Sequence, residues 1–395
     1  MGGQLLVERH EPADLAALDE AWSAAGTFGF IPAKSGVAES WVRGALDALP
    51  DDLQTGHFAL LTSGSTGRPK LVVGAKARSE ALARELHARQ ESEPVAETIL
   101  ALPLTYCYAF VNQWLWGRVF GRRLVHTRGF AHADELRGAL RGARDTMLCL
   151  VRIQLPLFSE IFGDEPFPGV IRVHFAGGAF PQAQLDQVHR TFPNALVFNN
   201  YGCAEAMPRL TIRRAEAASE AADIGEPLRG VELRTSEHGE LQFRSAYGAV
   251  AYFDESGFHR FAPGEWIGTG DFGARGDGGH WRLTGRMSEV FKRYGEKVSL
   301  PLVAESVLRA WRGAAASYRE RDAAGEEGHV LVLAPHPTGD EVRRVLQTFR
   351  SSWGRAHWPL RIESAERLPA LANGKVDVAA LAALPEKVVQ WRQRL

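Results

Sequence analysis

Residues 62–70 read "TSGSTGRPK": six of the first seven are Gly, Ser or Thr, and the stretch ends on a lysine. Those residue types can hold a polyanion. Glycines let the backbone approach a ligand closely, hydroxyls and N–H groups donate to phosphate oxygens, and the lysine adds positive charge. Two familiar phosphate fingerprints do not fit. GxxxxGK[ST] fails because Arg68 follows the second glycine and Leu71 follows the lysine, and GxGxxG fails on spacing. Two readings remain open on these residues alone. One is a solvated turn between a strand and a helix, where Gly, Ser and Thr are common. The other is a phosphate loop of a different kind.

The flanking segments must position such a loop. "HFALLT" (57–62) predicts a strand leading into it, and "SEALARELHARQ" (79–90) predicts an amphipathic helix after it. Further on, "TILALP" (98–103), "VIRVHFAGGAF" (170–180) and "ALVFNNYG" (195–202) predict strands, separated by helical patterns such as "ADELRGALRGA" and "PQAQLDQVHRTF". This alternation over 57–202 predicts a mainly parallel sheet flanked by helices. Residues 1–55 read as a helical, Ala- and Leu-containing preamble. From 225 to 283 the texture changes to short strands with tight turns, which predicts antiparallel sheet or a small barrel. The last hundred or so residues have the size of a small α+β domain. The expected class is therefore α/β: a large N-terminal domain, 1–285, with a flanked parallel sheet and a small β-rich subdomain, then a small mobile α+β domain, 286–395.

Composition narrows the partners. The 395 residues carry 46 Lys plus Arg against 47 Asp plus Glu, a balance that gives no support to nucleic acid as the main partner. Cys107, Cys149 and Cys203 are odd in number and widely spaced, so they spell neither a disulfide framework nor a CxxC metal pair. No basic region leads into a long apolar run at the N-terminus. The most apolar stretch, "TMLCLVRIQLPLF", is interrupted by Arg152 and Gln154. The expectation is a cytoplasmic protein without membrane insertion.

Other segments follow the loop in a fixed order: "NNYGCAEAMPR" (199–209), "DIGEPLRGVELR" (223–234), "GELQFRS" with "AYF" (239–253), "WIGTGDFG" (266–273), "LTGRMSEVFKRYGEKVSL" (283–300) and "LPALANGKVD" (368–377). Together with "TSGSTGRPK" they resemble, in register, the motifs of the adenylate-forming (AMP-binding) superfamily. That superfamily includes acyl-CoA synthetases, aryl-acid ligases and peptide-synthetase adenylation domains.

The resemblance implies a chemistry: a carboxylate attacks the α-phosphate of ATP to give an acyl-AMP and pyrophosphate, with Mg2+ as cofactor. Two anions must meet, so cations and donors belong where charge develops. By resemblance, Thr62, Ser63, Gly64, Ser65, Thr66, Gly67 and Lys70 hold the β- and γ-phosphates. Glu205 holds Mg2+, a hard cation that takes oxygen ligands. Gly177, Gly178 and Ala179 line the nucleotide and acid site with Asn200, Tyr201 and Gly202, and Tyr201 stacks on adenine. Asp271 accepts the ribose hydroxyls, assisted by Arg286. Lys375 bridges the substrate carboxylate and the α-phosphate. The resemblance also implies transfer of the acyl group to a thiol, of CoA or of the phosphopantetheine of an acyl carrier protein. In that half-reaction the small domain turns about a hinge at Ser288 and presents the segment around Gly295.

Three departures from the superfamily pattern carry expectations. The phosphate loop begins at Thr62, much earlier than usual, which implies a shortened N-terminal subdomain and a pocket that is more open, or completed by another subunit, as in a homo-oligomer, or by a partner. Tyr106 stands where many members carry a histidine, so an aromatic gate is expected beside the substrate carboxylate. Ala204 stands where a threonine is usual, which removes one phosphate donor; such a bond to a charged group is worth roughly 1.5–3 kcal/mol, so weaker ATP binding is expected. No aspartate lies between Tyr106 and Gly117 to hold an α-amine, which favours an aryl or acyl acid. The competing expectation is a catalytically degenerate nucleotide-binding partner protein.

Overall fold

The computed structural model describes residues 3–8, 14–33, 37–62, 69–152, 154–180, 182–217, 222–370 and 376–393. The chain forms two compact units. One comprises 1–152, 164–269 and 274–282, the other 153–163, 270–273 and 283–395.

The predicted strand "HFALLT" forms over His57–Thr62, but its partner was not foreseen. Lys70–Ala75, "KLVVGA", is a second strand, paired antiparallel so that Thr62 faces Lys70 and His57 faces Ala75. The glycine-rich stretch therefore joins two strands of a hairpin, not a strand and a helix. Each strand buries its four central residues in succession, the pattern of a strand covered on both faces. The helix Lys76–Arg89 starts only after the second strand.

The first 55 residues also differ from expectation. Helices Leu15–Ser23 and Glu39–Asp47 are present, but Gln4–Glu8 and Phe28–Pro32 are strands. They pair parallel with each other, and Phe28–Pro32 pairs parallel with His57–Thr62, placing Phe28 beside Phe58. Aromatic packing accounts for this. Phe58 stacks on Phe110 at 5.1 Å, and Trp22 packs on Phe58 at 5.2 Å and Trp114 at 5.4 Å. Tertiary burial of this size overrides a local Ala/Leu helical preference. The buried Lys76 ammonium donates to the carbonyls of Ala21, Ala24 and Gly26 at 3.1, 2.7 and 3.1 Å, closing the C-terminal end of the first helix.

These strands belong to a six-stranded sheet completed by Ala251–Asp254 and Gly257–Arg260. An eleven-stranded sheet holds the predicted parallel strands. Its parallel part runs in the order Arg123–His126, Glu97–Leu100, Thr146–Val151, Val170–Ala176, Leu196–Tyr201. It continues through antiparallel Thr211–Arg214 and Asp223–Pro227 into the short-stranded region foreseen over 225–283. The chain is thus α/β, with parallel pairing in these two stretches and between Glu327–Ala334 and Arg361–Ser364 in the second unit.

The second unit holds a four-stranded sheet: Ala314–Arg321, Glu327–Ala334, Arg361–Ser364 and Val388–Arg392. Helices Leu300–Leu308 and Gly339–Ser352 cover it with Val303, Val307, Val345 and Phe349. Thr338 and Glu341 form a capping box at the start of the longer helix. The hairpin Val290–Arg293/Glu296–Ser299 turns through Tyr294 and Gly295 with φ of 50° and 82°, a two-residue turn with both central φ positive.

His329 in this unit is fully buried, and its Nε2–H donates to the His357 carbonyl at 3.0 Å. Burial pushes its pKa down to about 4 from the ordinary 6.5. The unfolded chain then takes up the proton first. The stability that His329 supports is intact above pH 6.5 and is lost as pH falls toward 4, by at most about 3 kcal/mol. His329→Gln should flatten the fall in unfolding free energy over that window. An unchanged slope in urea titrations would rule this out.

Candidate active site

The chemistry expected of the glycine-rich stretch turns on what its lysine meets. Lys70 opens the strand Lys70–Ala75, and Glu205 sits in a 3-10 turn, Ala204–Ala206, after the strand Leu196–Tyr201. Far apart in sequence, the two come together. Lys70 Nζ lies 3.6 Å from Glu205 Oε1, with 22% and 20% of the side chains exposed. The ammonium also stands 4.8 Å from the centroid of the Tyr252 ring, itself stacked on His259 at 4.7 Å. Tyr252 lies opposite Val72 in the sheet. Glu205 is held from its backbone too, its carbonyl accepting from Ala249 N–H at 2.8 Å.

Gly202 explains how the turn reaches this point. A Cβ there would lie 1.9 Å from the Pro208 carbonyl oxygen, so only glycine lets the chain fold back on itself between Tyr201 and Arg209. Tyr201, just before it, is 4% exposed, and its carbonyl accepts from Leu210 N–H at 2.9 Å. Asn200 is buried. The parallel strand Val170–Ala176 beside it ends in Gly177 and Gly178, with φ of 89° and 132°, followed by the half-buried Ala179. Tyr106 is half-buried and precedes the first turn of a helical stretch over 107–120. Thr62, Lys70, Tyr106, Gly177, Gly178, Ala179, Asn200, Tyr201, Gly202 and Glu205 all lie in the first unit.

In the second unit, Asp271 and Arg286 form a pair, Arg286 Nε to Asp271 Oδ1 at 3.7 Å. This sets a cation and a carboxylate side by side. Gly295 occupies the exposed hairpin turn already described. Ser63, Gly64, Ser65, Thr66, Gly67 and Lys375 lie outside the described residues.

Two chemistries lack support in the described residues. No cluster of three or more His, Cys, Asp or Glu is arranged to cage a metal. Glu205 alone suits Mg2+, which takes one or two carboxylates and completes its shell with water and phosphate oxygens. Cysteine nucleophilic catalysis is disfavoured at two positions. Burial pushes the Cys107 thiol well up, the Glu205 charge adding to it, and pushes Cys149 up to about 11. Among the described residues, no helix is long and apolar enough to cross a membrane.

Residues 18–248, more than half the chain, match the family model described as "AMP-binding enzyme". The chain belongs to the AMP-binding enzyme family. Bacitracin synthase 3 of Bacillus licheniformis is 25% identical over 82% of this chain and 5% of its own length. A 3-[(3aS,4S,7aS)-7a-methyl-1,5-dioxo-octahydro-1H-inden-4-yl]propanoyl:CoA ligase of Mycobacterium tuberculosis is 26% identical over 88% of this chain and 69% of its own. The chain therefore spans very different shares of these relatives. Among solved structures, o-succinylbenzoate CoA synthetase of Bacillus subtilis in complex with its acyl-adenylate intermediate gives a TM-score of 0.73 at 17% identity, covering 100% of this chain and 90% of that one. An anthranilate CoA ligase in complex with anthranoyl-AMP gives 0.72 at 18% identity, covering 96% and 78%. These likenesses establish the fold.

Sequence reasoning missed Tyr252 and Arg209. Tyr252 had a signal: it alternates with apolar residues in "AVAYF", which turns it to the opposite face of a strand from Ala251 and Phe253. The Lys70–Glu205 pair is partly exposed, so it contributes about 1 kcal/mol or less to stability. Glu205→Gln should melt within about 3 °C of the native chain by calorimetry. A much larger drop would make the pair structural.

Proposed function

We propose that this protein uses ATP to convert an aryl or acyl carboxylic acid without an α-amine into an acyl-AMP, then passes the acyl group to a thiol. The observation that carries the proposal is the meeting of Lys70 and Glu205 inside the region that matches the family. A phosphate-binding cation and a metal-binding carboxylate converge there from distant parts of the sequence.

A carboxylate oxygen attacks the α-phosphorus, and the bond from that phosphorus to the bridging oxygen breaks, so pyrophosphate leaves with its electron pair. Lys70 neutralises phosphate charge, while the Tyr252 ring faces its ammonium and keeps it near Glu205. Glu205 would hold Mg2+, which when bound screens the phosphate oxygens. Tyr106 gates the acid, Gly177 and Gly178 keep the pocket wall flat, and Tyr201 and Gly202 shape the nucleotide side. Asp271 and Arg286 take the ribose, and Lys375 bridges the carboxylate and the α-phosphate. In the second step a thiol sulfur attacks the acyl carbonyl, the thiol proton goes to solvent, and AMP leaves with the oxygen that came from the acid. The relatives named as CoA ligases support CoA as acceptor; the phosphopantetheine of an acyl carrier protein is the alternative acceptor. The division of labour assigns residues 1–285 to nucleotide and acid binding and 286–395 to the mobile domain, with Ser288 at the hinge.

A mixed pool of aryl and fatty acids with MgATP should give acyl-AMP by mass detection and acid-dependent pyrophosphate exchange. Lys375→Ala should lower exchange by about 10²-fold or more while ATP affinity stays within about threefold. Full activity in that variant would remove Lys375 from the mechanism. Absence of exchange with every acid would favour the nucleotide-binding partner protein.

A further inference from the structure

Arg209 lies between the strands Leu196–Tyr201 and Thr211–Arg214 and is 1% exposed. Among the described residues no carboxylate pairs with it. Its Nη1 donates to Asn200 Oδ1, its Nη2 donates to Asn112 Oδ1 at 3.1 Å, and its Cζ stands 5.5 Å from the centroid of the Tyr108 ring. Burial pushes its pKa down only to about 10, so the group is charged at neutral pH. A buried guanidinium without a counter-charge is expensive, and a well-packed apolar side chain would serve a mere core position better.

The bonds around it join several chain segments, three of which lead to residues of the candidate site. Asn112 Oδ1 also accepts from Gln90 Nε2 at 3.0 Å, and Asn112 Nδ2 donates to Cys149 Sγ at 3.1 Å. Asn200 Nδ2 lies 3.4 Å from His174 Nδ1, and Tyr108 Oη donates to the His174 carbonyl at 3.1 Å. Burial and the nearby Arg209 charge hold His174 well below its ordinary pKa, so it stays neutral and can accept from Asn200. The segment 106–112 carries Tyr106. The strand with His174 runs into Gly177 and Gly178. The strand with Asn200 runs into Tyr201, Gly202 and Glu205. Arg209 is bonded to the first and third of these, and the second is bonded to both through Tyr108 and Asn200.

We propose that Arg209 is a positioning residue for adenylate formation: its planar fork sets the acid-side and nucleotide-side segments in one register, so that bound carboxylate and bound ATP meet at attack distance. The proposal rests on the adenylating reading of this site. A fork can hold two amide oxygens at fixed angles, which the point charge of a lysine cannot. Without it each half still binds its own ligand, but the geometry of approach is lost, and a misplacement of about 1 Å can cost about 10² in rate.

The test compares the native chain with Arg209→Met, Arg209→Gln and Arg209→Lys. It uses acid-dependent pyrophosphate exchange, together with calorimetric titration of MgATP to count binding sites per chain. The expected result for Met is a binding stoichiometry and ATP affinity within about threefold of native, with kcat per binding site lowered about 30- to 100-fold. Lys, a point charge without the fork, should recover little of that loss, and full recovery by Lys would overturn the role of the fork. If the Met chain does not fold, Gln carries the same expectation. Native kcat in the folded variants overturns the proposal. So does a loss that only tracks the number of ATP sites, since that is a purely structural role. No exchange by the native chain with any acid overturns the adenylating reading itself and this inference with it. An active native chain with unaffected variants overturns the inference alone.

Discussion

The contact between Lys70 and Glu205, 3.6 Å across the first unit, is the constraint on which the rest depends. Lys70 begins a strand of the six-stranded sheet, and Glu205 follows a strand of the eleven-stranded one. Bringing them together requires the start of one interior strand and the end of the other to meet. It also requires a glycine at 202, where the backbone doubles back against Pro208. The proposed chemistry needs this convergence, because a carboxylate and a triphosphate repel each other until cations and donors stand where charge develops. The pair itself adds little stability at its exposure. Its value is positional, and the surrounding structure supplies the energy that holds it.

That energy comes from two kinds of packing. Trp22, Phe28, Phe58, Phe110 and Trp114 form an aromatic cluster that binds the first strands and helices to the hairpin carrying Lys70. A polar network behind the site does different work. Arg209, Asn112, Asn200 and Tyr108 leave little freedom in the segments they join, since each bond is made away from water, where breaking it is costly. The apolar cluster fixes where the elements lie, and the polar network fixes the register of their ends.

Much of this was legible in the chain. "HFALLT", "VIRVHF" and "ALVFNNY" became strands because apolar runs bounded by polar or glycine residues are short-range signals. The motifs were legible because their residue types and order are unusual together. Other features were not. "QLLVE" and "FGFIP" are too short to declare themselves, and their strand state comes from Phe58 and its neighbours, which are distant in sequence. "KLVVGA" was hidden by the lysine that opens it. Arg209 was invisible because an arginine two residues before a strand ordinarily reads as solvated. Only its three-dimensional surroundings show a buried fork. The roles expected of Ser63, Ser65, Thr66 and Lys375 rest on the sequence motifs.

The central claim is that the acid's own oxygen forms the bond to the α-phosphorus. The direct measurement supplies the substrate acid with both carboxylate oxygens labelled with 18O, alongside ATP and the thiol acceptor, and reads the mass of the AMP produced. Attack on the α-phosphorus followed by thiolysis at the carbonyl predicts one 18O in each AMP. Unlabelled AMP, or label found in inorganic phosphate, would contradict the acyl-AMP route.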